Sequence, residues 1–238
     1  MTFRKNKANS YFFKKIEQNK TLPSSIVGGV SVVPKQIEQN VAILDDEKKL
    51  FKLLELLGMF QDKGSVIVFC QKQEVCDTLQ QQLMKSGYPC LALHGGIDQY
   101  DRDSVITDFK NGVTKILVAT SVAARGLDVR DLILVINFDC PNHYEDYVHR
   151  VGRTGRAGTV GYAWTFLGLD DGKYAGVCVK AFKVSGKKPP ADVQKFWDDY
   201  KADMKAAGKK IKTFSGFVGS GFKFDENEEK QIVSEVSQ

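Results

Sequence analysis

The sequence predicts a doubly wound α/β fold, a mainly parallel sheet with helices on both faces, extended by a C-terminal helix and a tail. Three observations carry that expectation. Short apolar runs alternate with helix-period segments from residue 65 to 166. Several of those runs are apolar on successive residues, which suits parallel strands covered on both sides. At 238 residues and 42% hydrophobic content, the chain is long enough to bury one large core.

In chain order, EQNVAIL (38–44) reads as a strand, and Asp46 to Phe60 as a helix with a Leu50, Leu53, Leu54 and Leu57 stripe. SVIVFC (65–70) reads as the next strand. Val75, Leu79 and Leu83 then recur every four residues and stop at Gly87. After the strand CLAL (90–93), Asp98 is placed to cap a helix carrying Val105, Ile106 and Phe109, which ends at Gly112. The strands KILVAT (115–120), LILVINF (132–138) and GYAWTF (161–166) follow. A change of character at Ser185-Gly-Lys-Lys-Pro-Pro190 marks a boundary. Val193, Phe196, Trp197, Tyr200 and Met204 beyond it form a helical apolar stripe expected to pack on the sheet domain. The expected organisation is a basic extension or linker (1–30), a main domain (31–185), a linker and amphipathic helix (186–207), and a tail (208–238). That tail is Gly/Phe-rich and then acidic, so it reads as extended or disordered chain.

Composition narrows the function classes. No apolar run approaches the ~18 residues that cross a bilayer, and the first residues lack the apolar stretch of a secretory signal. The five cysteines are odd in number and never spaced C-x-x-C, against a disulfide framework or a zinc site and in favour of a reduced, intracellular chain. Residues 1–20 hold six Lys/Arg against one Glu and so account for the whole net charge of +5. Between Ser65 and Gly168, ten Lys/Arg face eleven Asp/Glu, yet Arg150, Arg153 and Arg156 fall within seven residues. Positive charge there is placed rather than spread.

Ligands of open parallel sheets gather beyond the carboxyl ends of the strands. That rule selects the loops beginning at Gln71, His94-Gly95-Gly96, Thr120-Ser121 and Asp139-Cys140. Independently, YVHRVGRTGRAG (147–158) combines an open, glycine-punctuated backbone with arginine at every third residue. Guanidinium forks suit phosphate oxygens and can neutralise charge that develops in phosphoryl transfer. The same triplet also fits a solvated basic loop. In VATSVAARGLDV (118–129), Thr120 can donate to a nucleic-acid phosphate and Asp128 can accept from ribose hydroxyls, or else pair locally with Arg125 or Arg130. In HGGIDQYDR (94–102), Gly95 allows close approach of a ligand, with Gln99 and Arg102 on one turn of the next helix. A plain tight turn and exposed helix face give the same string.

Taken in order, SVIVFC, LHGG with Gln99-x-x-Arg102, VATSVAARGLD and HRVGRTGR resemble the C-terminal, RecA-like lobe of the DEAD-box RNA helicases, over roughly residues 35–185. His149, where related helicase groups usually carry Gln, sharpens that resemblance. It implies that Arg153 and Arg156 reach the γ-phosphate of ATP, that Gly126 and Asp128 belong to the nucleotide site with Asp128 on the ribose, and that His149 locks two lobes together. It further implies an RNA backbone lined by Gly95, Gln99, Arg102 and Thr120, with Arg125 and Arg150 coupling the lobes. Two departures stand out. Gln71-Lys72 replaces the Thr or Asn common after the first strand, so Lys72 is the expected RNA contact there; Ser121 replaces an often acidic residue. Runs outside the motifs, among them LHGGIDQYDRDSVITDFKNG, CPNHYEDYVHR and GFVGSGFKFDENE, resemble the family's pre-mRNA-splicing branch at branch-site recognition. They imply spliceosomal protein partners and a nuclear location.

Neither G-x-x-x-x-G-K-[ST] nor Asp-Glu-Ala-Asp occurs in the sequence. Asp45-Asp46-Glu47 directly precedes a helix and reads as an acidic cap rather than a magnesium site. The expectation is therefore half of an ATPase, inactive alone, with ATP and its magnesium held mainly by an N-terminal lobe. The competing reading is an RNA- or protein-binding module without ATPase activity.

Overall fold

The structure, a computed structural model, describes residues 32–129, 131–156 and 158–209. The basic segment 1–20 and all but the first two residues of the tail lie outside them. Six strands, β1 (Ile37–Ile43), β2 (Ser65–Cys70), β3 (Leu91–Leu93), β4 (Ile116–Thr120), β5 (Leu132–Asn137) and β6 (Gly161–Leu167), form one sheet in the order β1-β6-β5-β2-β4-β3. Every pairing is parallel. The central position of β2 follows from its sequence, because all six residues of SVIVFC are buried. Val66, Val68 and Cys70 enter one apolar cluster, Ile67 and Phe69 another. A strand that is apolar at every position can only sit where both faces are covered.

Helices α1 (Asp46–Phe60) and α2 (Gln73–Lys85) cover the first face with Leu53, Leu56, Leu57, Phe60, Cys76, Leu79 and Leu83. On α2 the expected Val75 is only half-buried, and Cys76 takes the buried position. The second face carries α3 (Gln99–Lys110), α4 (Tyr144–Val151) and α5 (Gly172–Val184). Asp98 caps α3 as expected, its carboxylate accepting from the Asp101 amide at 2.9 Å. Asp45 stands at the N-cap position of α1 and Asp46 in its first turn, but their carboxylates pair with Lys48 and Lys49 and make no backbone cap bond. All five cysteines are buried free thiols.

The C-terminal stripe forms α6 (Ala191–Ala206), which packs on α5 rather than directly on the sheet. Only Val193 is fully enclosed; Phe196, Trp197 and Tyr200 are half-buried. Two glycines one turn apart on α5 let the aromatic rings approach. A Cβ on Gly172 would lie 2.9 Å from Tyr200 Cβ, and one on Gly176 only 2.9 Å from the Trp197 ring. We expect Gly176→Val to push that ring off α5 and cost about 1–3 kcal/mol, seen as a lower urea midpoint with faster amide exchange confined to α6. An unchanged midpoint and exchange rate would show that the two helices are not closely apposed.

Candidate functional site

Because all strands run the same way, their carboxyl ends share one rim. The register levels Cys70 with Thr120, so the loops after β2 and β4 open side by side. An open groove of about 810 Å³ lies there, lined by Gln71, Lys72, Gly95, Arg102, Thr120 and Val122 among others. Arg102 Nε is buried in it without a hydrogen-bond partner. The groove thus offers an ammonium, a guanidinium, a hydroxyl and a glycine backbone, a donor set for successive anionic groups. Gln99 departs from expectation: it does not line the groove, and its Nε2 donates to Asp103 Oδ1 at 2.8 Å. Next to the groove, directly before Gly95, stands a pair that sequence reasoning missed. His94 is buried, its Nε2 lies 2.9 Å from Asp77 Oδ1, and its Nδ1 accepts from the Gly96 amide at 3.2 Å.

The arginine string lies elsewhere. Helix α4 runs back from the carboxyl rim, and the bend after it is anchored at the amino ends of the strands. Thr154 Oγ1 donates to the Leu132 carbonyl at 2.6 Å, and Gln36 Nε2 donates to the Gly155 carbonyl at 2.9 Å. Gly155 has φ +67, and a Cβ there would stand 2.6 Å from Ile37 Cγ1, so the bend closes against β1 only with glycine. The carboxyl-rim rule therefore finds the groove and not the bend.

From α4 and the bend, three arginines reach across to the segment following β4. Arg150 Nε donates to Ser121 Oγ at 2.6 Å, Arg153 Nη1 to the Leu127 carbonyl at 3.2 Å, and Arg156 Nη1 to the Asp128 carboxylate. Arg153 and Arg156 are also steadied from behind by the carbonyls of His149 and Gly152, at 3.0 and 3.3 Å. Burial, followed by the neighbouring Arg156 charge and offset in part by Asp128, pulls the Arg153 pKa down. A guanidinium stays charged under such pressure. Asp128 pairs with Arg156 rather than with Arg125, and Arg130 lies outside the described residues. The side chain of Asp128 is 73% exposed and that of Arg156 37%. An ion pair so exposed contributes only about 0.2–1 kcal/mol, so a competing anion and hydroxyl can replace each partner at little cost. Gly126 and His149 are exposed beside this cluster.

Arg150 lies inside the lobe. Its side chain is 3% exposed. Its donors go to Ser121, Asp146, Asn137, the Asp139 carbonyl and Gln71, at 2.6 to 3.4 Å, and its guanidinium lies 5.2 Å from the Phe69 ring centroid. It is a clamp inside the lobe. Asp146 was detectable in the sequence as the carboxylate four residues before Arg150 on one helix face; Ser121 and Gln71 were not, being long-range partners.

Residues 48–158 match the helicase conserved C-terminal domain. The chain belongs to the DEAD-box family, and its sheet with helices on both faces is the RecA-like C-terminal lobe of that family. It resembles the E. coli DEAD-box protein SrmB, solved bound to the regulator of ribonuclease activity A, with TM-score 0.56 and 34% identity, covering 63% of this chain and 86% of that one. Among sequences, it is 62% identical over 203 residues to the Homo sapiens protein named "Probable ATP-dependent RNA helicase DDX46", covering 85% of this chain and 20% of that protein. It is 51% identical over 201 residues to the "Pre-mRNA-processing ATP-dependent RNA helicase prp5" of Emericella nidulans, covering 82% and 17%. The chain thus spans about a fifth of the length of these two relatives.

Replacing Arg150 by Met leaves Asp146, Ser121 and Asn137 facing an apolar group. We expect a loss of about 3–5 kcal/mol, read as a lower denaturant midpoint at constant m. A loss under 1 kcal/mol would mean that the clamp carries little of the rim.

Proposed function

We propose that this chain is the C-terminal half of an ATP-dependent RNA helicase of pre-mRNA processing, and that it works only against a second lobe holding the triphosphate. The observation that carries this reading is the pairing of Arg156 with exposed Asp128 beside Arg153, both forks charged and already held by main-chain carbonyls. In that arrangement Asp128 accepts from the ribose hydroxyls of ATP. Arg153 and Arg156 turn to the γ-phosphate and offset the charge that develops on it during transfer, and Gly126 leaves the backbone open beside the ribose. His149 and Arg125, both exposed, face the other lobe. In the groove Lys72, Arg102, Thr120 and the Gly95 backbone hold RNA phosphates and sugars, which gives affinity with little sequence preference.

Among the described residues no cluster of His, Cys, Asp or Glu could hold a metal ion. As the family resemblance implies, the magnesium of ATP would be held mainly by the second lobe, and no step here runs through it. ATP and RNA each bridge two lobes, so closure assembles both sites at once, and release of phosphate reopens them. The pre-mRNA-processing relatives support spliceosomal proteins as partners and a nuclear location. No helix among the described residues is long and apolar enough to cross a membrane.

In the protein with both lobes, Arg153→Ala or Arg156→Ala should lower ATP turnover by about 10³-fold or more, the scale of arginines acting on a transferring phosphoryl group. Near-normal turnover would discard the assignment. Arg102→Ala should reduce the slope of log affinity for single-stranded RNA against log salt by roughly 0.7, one phosphate contact. An unaltered slope would remove Arg102 from the RNA site.

A further inference from the structure

The two half-sites lie at different ends of the molecule, yet one stretch of chain connects them. Thr120 belongs to the groove, Asp128 to the arginine cluster, and the eight-residue segment 121–128 that follows Thr120 is tied at three places to α4 and its bend. Two of those ties are simple: Arg153 to a carbonyl and Arg156 to an exposed carboxylate. The third is built differently. A single oxygen, Asp146 Oδ2, accepts from Ser121 Oγ at 3.1 Å and from Arg150 Nε at 3.0 Å, and lies 2.9 Å from Arg150 Nη2 as an ion pair. Among the described residues no other carboxylate pairs with this guanidinium; the remaining partners are the Ser121 hydroxyl oxygen, the neutral Gln71 and Asn137 side chains and the Asp139 carbonyl.

We propose that Asp146 is a positioning residue that couples the RNA groove to the nucleotide arginines, acting through Arg150 and Ser121. This inference rests on the ATPase reading given above. Ser121 follows Thr120 directly and Gln71 precedes Lys72, so Arg150 holds the residues next to two groove contacts. The Arg150 carbonyl accepts from the Arg153 amide at 3.1 Å, so the residue whose guanidinium is anchored at the rim is also bonded through its main chain to the residue that bears the Arg153 fork. Asp146 fixes the orientation of that guanidinium by accepting from its Nε and from the Ser121 hydroxyl on the same atom, which also forms the ion pair with Nη2. With the carboxylate neutralised, Arg150 keeps its direct bond to Ser121 Oγ and its other neutral partners, and the lobe stays folded at lower stability, but the charge that anchors both groups is gone and the tie between Ser121 and the arginine bend loosens. RNA then binds without presenting Arg153 and Arg156 in register.

The test uses the protein with both lobes, single-stranded RNA and ATP. Turnover is measured without RNA and with saturating RNA, alongside the thermal midpoint, for Asp146→Asn, Arg153→Ala and the double variant Ser121→Asp with Asp146→Asn. Asp146→Asn should cut RNA-stimulated turnover by about 5- to 150-fold while leaving turnover without RNA within about twofold, the range of an energetic coupling between sites. The double variant returns a carboxylate to the other end of the same hydrogen bond and should restore most of the stimulation. Equal losses with and without RNA, no loss in either, or no recovery in the folded double variant would overturn the coupling role. Failure of the ATPase reading shows separately, as normal turnover of Arg153→Ala.

Discussion

The rim of this lobe depends on one buried charge. Moving a guanidinium out of water costs several kcal/mol even after relaxation, and only close, complete pairing offsets that cost. Arg150 meets the requirement by drawing partners from the ends of three strands and one helix: Gln71 after β2, Ser121 after β4, Asn137 and Asp139 at β5, and Asp146 on α4. Its position near the end of α4 does not prevent this, since helical side chains lean toward the amino terminus of their helix. The lean brings the guanidinium back up to the carboxyl rim. The Asp139 carboxylate adds a further tie by accepting from the Gln71 amide at 2.8 Å. Loops that otherwise have little apolar area to bury are thereby held in one arrangement.

Much of this fold was legible because its strands are buried on both faces. Continuous apolar runs such as SVIVFC and LILVINF have few alternative homes, and Asp98, Gly87 and Gly112 mark helix ends by local chemistry alone. What could not be read was anything set by pairing at a distance. The order β1-β6-β5-β2-β4-β3 leaves no local signature, and neither does the choice of α5 as the surface for α6. On α2, a period-four stripe was assigned through Val75 although its neighbour Cys76 occupies the buried position, because cysteine packs as a small apolar group. The site divides in the same way. The arginines announced themselves by spacing and glycine context; Ser121 looked only like a departure from an acidic residue, and its role became visible when α4 delivered the Asp146 carboxylate to it.

The two ligand regions differ in how firmly they are made, and the difference has a physical reason. The groove is lined by residues at the ends of β2 and β4, and the buried His94–Asp77 contact lies directly before its Gly95. The arginine cluster is held by main-chain carbonyls and one exposed ion pair. A groove built on strand ends suits a ligand recognised by a repeating backbone. Exchangeable pairing suits a group whose charge changes during reaction, because Arg156 can leave Asp128 for a phosphate without creating a buried unpaired ion.

On the proposed reading, half-sites of this kind would make the lobe a poor binder of either ligand alone, with a consequence for control. If ATP and RNA each gain most of their contacts only when two lobes close, both stabilise the same closed state, and each must raise the affinity for the other by an equal factor. The size of that factor depends on how little each ligand's free energy is lost to internal slack between the regions. A segment of eight residues tied at three points to a helix and its bend has little slack. The spacing of Arg150, Arg153 and Arg156, one turn of chain apart, is then more than a way to concentrate positive charge. It brings a tie to the start of the segment, beside the groove, and two more to its end, beside the nucleotide region, so that closure is registered at both ends together.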